Sequence, residues 1–371
     1  MSTKKQIPLF KVAMSKEVSK PLLKTIHSGW IGEGQIVKDF ESALSKKIGN
    51  PRCLTLSAGT HGLHLALHMS NVRRGDEVIA TPLTCTASNW PIRYSGADIV
   101  WADIKPDDLN IDYRSVKERI TKYTKAILCV HWGGYPTDLE ELKAIADEYD
   151  LFLIEDAAHA FGSTYKDSII GDCQFSDFAM MSFQAIKHLT CVDGGALFTK
   201  SNDDYTRGKL LRWYGIDREG PRTDFRCEQD VPEIGWKYHM NDVCAAVGLA
   251  NIKLAYKNIE IARNNANYYR KEFTNFDGIT LIQNADDRQS SYWLFTMLVE
   301  RRDEFFQKMG ENGISVSRVH ERNDKHTCVK EFRRPLPALD SVIDKMCCIP
   351  VSWWVTKEDR EYIVSSIKEG W

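Results

Sequence analysis

A chain of 371 residues, with 27% charged side chains and a formal net charge of −2, is long enough to bury a large core and to divide into two domains. The near balance of charge excludes the basic field that nucleic acid or an anionic membrane surface attracts, and no apolar run reaches the ~18 residues of a membrane span. The N-terminus carries lysines but no apolar stretch of signal length, and ten scattered cysteines without a repeated C-x-x-C frame suit a reducing compartment, so the cytoplasm is the expected location.

In chain order, residues 17–25 read as a short helix and 28–34 as a glycine-rich loop carrying Trp30, either plain turn chemistry or a flap over a ligand. Ile36, Val37, Phe40, Leu44 and Ile48 recur at helical spacing, which predicts an amphipathic helix over 35–48. From residue 53 onward, short apolar runs at 53–56, 78–80, 99–102, 126–130 and 151–154 alternate with helical segments, among them 62–69 and 138–148. This alternation predicts an α/β fold, a mostly parallel sheet covered on both sides by helices. Ligands gather at the carboxyl ends of such strands, where 57–60, 84–89, 131–135 and 156–159 fall. Two more strands are expected at 175–180 and 195–199, with Lys187 in the connection between them. Residues 200–240 are polar, aromatic-rich and partly irregular. A long helix follows from 241 to 269 or slightly beyond, with apolar spacing that allows a bend near Asn258. The remainder reads as strand (290–299), helix (301–311), strand (314–319) and helix (358–369), a smaller α+β unit. The expected division is therefore 1–245 and 246–371, joined through the long helix.

Two residues stand out chemically. Lys187 lies in the polar turn Ser182-Phe183-Gln184-Ala185-Ile186-Lys187-His188-Leu189-Thr190, and Asp156 ends the apolar run Leu151-Phe152-Leu153-Ile154-Glu155-Asp156. A lysine amine forms a Schiff base with an aldehyde, and a buried carboxylate keeps a pyridine nitrogen protonated so that the ring takes up electrons. The same two residues also read as a surface lysine and a solvated strand end. Ser57-Ala58-Gly59-Thr60 enters a helix whose first backbone N–H groups suit an anion, with the Thr60 hydroxyl as a further donor, although a plain N-cap turn has the same residues. Ser182 can donate to that anion too, and Asp193-Gly194-Gly195 supplies the tight turn that brings the next strand back. His159 is three residues past Asp156, either within reach of a ring held there or a satisfied histidine on a first helical turn. No dinucleotide fingerprint appears, since the glycine-dense stretch at 29–34 does not follow a strand, and His320, His326 and Cys328 match no strong metal-ligand frame.

Taken together, Glu155-Asp156-Ala157-Ala158-His159-Ala160-Phe161-Gly162-Ser163, the Lys187 turn and Asp193-Gly194-Gly195, with the stretches at 28–32, 75–79 and 235–242, closely resemble the sugar aminotransferases of the DegT/DnrJ/EryC1/StrS family over nearly the whole chain. The resemblance implies a fold-type I pyridoxal-phosphate enzyme, with a large cofactor domain and a smaller C-terminal α+β domain. It implies Lys187 as the lysine that bonds the cofactor and Asp156 as the partner of the pyridine nitrogen. His159 would contact the ring face or its 3-hydroxyl, and Gly59, Thr60 and Ser182 the phosphate. Lys237, where many relatives have Asn, lies in a segment that crosses the dimer interface towards the neighbouring cofactor, where its charge would serve the phosphate or face the substrate. Two positions depart from the family pattern. Cys85 stands where an aromatic residue commonly stacks on the ring, so that either Trp90 or another side chain compensates or the ring is held more loosely, and residues 318–324 replace the usual sugar-site pattern. A minority branch with histidine in place of the lysine works as dehydratases, and the presence of Lys187 sets it aside. The implied reaction carries an amino group from L-glutamate, leaving 2-oxoglutarate, to a nucleotide-linked keto-deoxysugar on a homodimer with shared active sites, for polysaccharide or O-antigen biosynthesis. The alternatives are a keto-cyclitol as acceptor and a cofactor-binding relative without turnover.

Overall fold

The computed structural model describes residues 5–221 and 230–371, so the part of the 200–240 stretch at 222–229 lies outside the described residues. A seven-stranded sheet runs in the spatial order Cys53–Leu56, Gly195–Thr199, Phe178–Ser182, Phe152–Asp156, Thr124–Val130, Glu77–Ala80, Asp98–Trp101. The last five are mutually parallel, and Gly195–Thr199 runs antiparallel to both its neighbours. Period-2 geometry sends alternate residues to opposite sides. Ile79, Ile127, Cys129 and Leu153 enter one core with Phe40 and Leu44 of helix Gln35–Ile48 and Leu142 of helix Leu139–Glu148. Val78, Ala80, Ala126, Leu128 and Ile154 enter the other core with Leu63, Ala66 and Leu67 of helix Gly59–Met69. Both faces are dry, which is why these strands read as unbroken apolar runs.

Several boundaries differ from expectation in ways that matter to the site. The helix expected at 62–69 begins at Gly59, so Gly59 and Thr60 belong to its first turn. The strand expected at 175–180 is Phe178–Ser182, which puts Ser182 at its carboxyl end. Helix Thr86–Tyr94 was not anticipated, because Ser88, Asn89 and the internal Pro91 hide its period. A further helix, Asn202–Leu211, lies inside the stretch expected to be partly irregular and is capped by Ser201, whose side chain accepts from the Asp204 N–H. The long helix is one uninterrupted element, Asp242–Phe273, and passes through a buried Asn258.

In the C-terminal part, Phe295–Val299 pairs antiparallel with Ile279–Leu281 and with Met346–Ile349. The strand expected at 314–319 is not formed. That stretch makes only single bridges, Ile7 with Ile314 and Ser317 with Cys348, and Val319 turns into the left-handed region at φ 70°. The fully buried Met346–Ile349 takes the place in the sheet. Beneath this sheet Tyr269, Phe273, Phe295, Phe305 and Ile363 form a core of their own. The N-terminal segment is strapped to it: the Ile7 N–H donates to the Gly313 carbonyl at 2.8 Å, and Trp354 Nε1 donates to the Pro8 carbonyl at 2.7 Å.

Candidate active site

Asp156 is the last residue of its strand, paired in register with Met180, and only 2% of it is exposed. Ser88 Oγ donates to its Oδ2 at 2.6 Å and the Ala158 N–H to its Oδ1 at 3.0 Å. Because the Ser88 proton is committed to the carboxylate, the 2.7 Å contact between Thr84 and Ser88 has Thr84 as donor. Burial pushes the Asp156 carboxyl up, and these donors and the charge of Lys187 only partly oppose it. Beside it, His131 Nδ1 accepts from the Thr137 N–H at 3.1 Å, so its proton sits on Nε2 and goes to Glu155 Oε2 at 2.8 Å. Ser88 was missed from sequence. It sits within the 84–89 strand-end stretch but carries no motif of its own.

The helix beginning at Gly59 has no side-chain cap from Ala58, so its first-turn N–H groups face outward with the positive end of the helix dipole. A Cβ on Gly59 would stand 2.8 Å from Met180 Sδ and 3.1 Å from Ser182 Cβ, and one on Gly195 only 2.7 Å from the Gly59 backbone. Glycine at both positions lets this helix end press onto the two strands beside Asp156. Thr60 and Ser182 are half-buried at its mouth. Tyr238 approaches the same strand end: its carbonyl accepts the Ser57 N–H at 2.7 Å, and His239 bridges Leu56. Lys237 on this segment is exposed, and among the described residues it forms no ion pair within its own subunit.

Lys187 closes a turn by donating its N–H to the Gln184 carbonyl at 2.9 Å, within a loop tied by hydrogen bonds from Phe183 to Gly194 and from Cys191 to Phe183. Its Nζ lies 3.7 Å from the centroid of the Trp293 ring. The residue as a whole is half-buried. Enclosure of the amine brings its pKa down to about 8, with Asp156 and Cys85 pulling the other way. His159 stacks on Trp293 at 3.9 Å and lies parallel to His320 at 5.8 Å, while Trp132 meets both imidazoles edge-on. Among the described residues the buried His159 Nδ1 has no hydrogen-bond partner, and burial pushes the pKa of this ring well below the usual histidine range. The loop expected to replace the family's sugar-site pattern is brought to the same place. Asn323 donates its N–H to the Pro82 carbonyl at 2.9 Å and its Nδ2 to the Cys85 carbonyl at 3.2 Å. Trp90 meets His326 edge-on; the indole against Lys187 is Trp293, which no local pattern announced.

The motif residues Asp156, His159, Ser182, Lys187 and Gly59 thus converge on one strand-end cleft, with Thr60 at its mouth and Lys237 pointing to solvent. The arrangement offers an amine of depressed basicity, a buried carboxylate still short of a cation, a flat imidazole and an uncapped helix end.

The model of the DegT/DnrJ/EryC1/StrS aminotransferase family matches residues 12–368. Among solved structures, the chain is similar to AtS13 from Actinomadura melliaura, with 41% identity and a TM-score of 0.96 over 100% of both chains. It is similar to the sugar aminotransferase CalS13 from Micromonospora echinospora, with 39% identity and a TM-score of 0.95 over 99% of this chain and 100% of that one. The PLP form of Spr1654 from Streptococcus pneumoniae shares 25% identity at a TM-score of 0.90, over 98% of each chain.

Proposed function

Because the chain belongs to the DegT/DnrJ/EryC1/StrS aminotransferase family, we propose that it works as a homodimer, using pyridoxal phosphate to move an amino group from L-glutamate to a nucleotide-linked keto-deoxysugar. The observation that carries this reading is the convergence of Lys187, Asp156 and the uncapped helix end at Gly59 in one cleft. The residues present fit the cofactor. A phosphate suits the N–H groups at Gly59 and Thr60 with the Ser182 hydroxyl, and a pyridine N–H suits a carboxylate whose burial is otherwise uncompensated.

When bound, pyridoxal phosphate supplies an aldehyde that condenses with amines and a ring that takes up the electron pair left at Cα. The chain's own residues do the rest. Lys187 Nζ would bond the cofactor at rest and, once freed by a donor amine, would serve as the base that takes the Cα proton and returns it. A pKa near 8 leaves part of that amine unprotonated at neutral pH. Asp156, oriented by Ser88 and Ala158, would accept the ring N–H and hold its proton in place. His159 would lie against the ring, and Lys237 of the partner subunit would reach the phosphate. The acceptor enters under residues 318–326, beside Cys85, with 1–245 as the cofactor domain and 246–371 as the smaller domain.

The test is direct. Purified protein reduced with borohydride should carry the cofactor on Lys187 in peptide maps. Glutamate with a panel of nucleotide keto-sugars should yield an amino sugar whose nitrogen NMR locates. An adduct on another lysine, or amination of a keto-cyclitol with none of the nucleotide sugars accepted, overturns the reading.

A further inference from the structure

Trp293 enters the cleft from the segment leading into strand Phe295–Val299, and 5% of it is exposed. Its Nε1–H donates to the Ile186 carbonyl at 2.9 Å, one residue before the lysine. The same ring lies 3.7 Å from Lys187 Nζ, stacks on His159 at 3.9 Å with planes 22° apart, and packs against Phe10 of the N-terminal segment at 5.2 Å. Among the described residues no carboxylate stands within ion-pair distance of Nζ, and the indole face lies directly against it. An electron-rich face in a water-poor site attracts an ammonium more strongly than the same face in solvent.

We propose that Trp293 is the docking platform of the free Lys187 amine: its face holds Nζ in the protonated form when the lysine is not bonded to the cofactor, and its Nε1–H fixes the turn that carries it. This rests on Lys187 being the cofactor lysine. Such a lysine is free whenever a substrate amine takes its place, on a long stem with many rotamers, and must return to one place to exchange a proton. Trp293 restricts that search from both ends, through the backbone at Ile186 and through the charge at Nζ. The groups facing Nζ set the balance that the platform tips. Asp156 and Cys85 favour the ammonium, while His159, His188 and His320 sense the lysine charge and are themselves held towards the neutral form. The indole adds to the ammonium side.

Fluorination drains the indole face while leaving its shape nearly unchanged. Tryptophans bearing one, two and three ring fluorines are placed at position 293 by amber suppression. The Lys187 pKa is read in cofactor-free protein by competitive acetylation and peptide mass spectrometry. The expected result is a stepwise fall, on the order of half a unit to one unit across the series. An unchanged pKa, with the borohydride adduct of the holoenzyme mapped to Lys187, overturns the platform while leaving the proposed function standing. An adduct on a different lysine overturns both, since it removes the premise.

Discussion

Asp156 is a carboxylate stripped of water and given only neutral donors, Ser88 Oγ and the Ala158 N–H. In the proposed reaction its charge works only if it stays ionised against a ring N–H. Asp156→Asn should therefore slow amino transfer about 100- to 1000-fold, as loss of a preorganised electrostatic partner does. Ser88→Ala removes one hydrogen bond to a charged group and should cost about 10- to 100-fold in kcat. Wild-type rates in steady-state assays of either variant would detach it from the chemistry. Lys187 gives a pH signature. Its amine is nucleophilic only when neutral, and burial brings its pKa down to about 8. Capture of pyridoxal phosphate by cofactor-free protein should accelerate as pH rises through about 8 and level off above it. A flat profile across that range would show that the amine is not held as the structure implies. Sequence pointed to Asp156 and Lys187 because one ends an apolar strand run and the other sits in the polar turn between two strands. Ser88 and Trp293 have no such local mark, since what singles them out is whom they touch.

At the scale of elements, helix Gln35–Ile48 starts at Gly34, which has no side chain to cap it. The acceptor comes from elsewhere: Asp242 Oδ1 takes the Gly34 N–H at 2.9 Å and the Val37 N–H at 3.0 Å. A Cβ on Gly34 would stand 2.5 Å from Asp242 Oδ2, so glycine is required for this approach. The preceding residue, Asn241, caps the long helix itself by accepting from the Cys244 N–H. Adjacent residues thus cap two different helices. Asp242→Ala strands two donors and should lower stability by about 1 to 3 kcal/mol, against about 1 kcal/mol for Asn241→Ala. Denaturant midpoints decide it, and a change of only a few tenths for Asp242→Ala would show that water replaces the cap. The Asn241 cap is readable in sequence, as a polar residue ahead of a helical pattern. The Asp242 cap is not, because its helix lies some two hundred positions away.

At the scale of the whole molecule, Trp30 is 83% exposed and lines an apolar groove with Pro21, Ile36, Ala246 and Leu249. A contiguous apolar surface of this kind suits a subunit interface. The proposed homodimer also accounts for an exposed Lys237 that forms no ion pair among the described residues of its own subunit. Subunit mixing tests it. A Lys187→Ala chain and a Lys237→Ala chain, each inactive or weak alone, should regain activity towards one wild-type site per dimer once allowed to exchange. One site would carry both lesions and the other neither. Verified heterodimers without rescue would place Lys237 in its own subunit's chemistry or in none.

What the sequence determined by itself is whatever repeats or clusters locally. Apolar runs of strand length alternating with helical segments specify a parallel sheet, because a strand buried on both faces has no polar side to show. The motif runs place Asp156 and Ser182 at strand ends and His159 and Lys187 in the loops that follow them. The tertiary structure alone decided the contacts between distant segments: Met346–Ile349 rather than 314–319 in the small sheet, Asp242 on a foreign helix, Trp293 beneath Lys187. It also decided how basic that lysine is. A pKa near 8 comes from the water that packing excludes around the amine, and no spacing of residues along the chain records that exclusion.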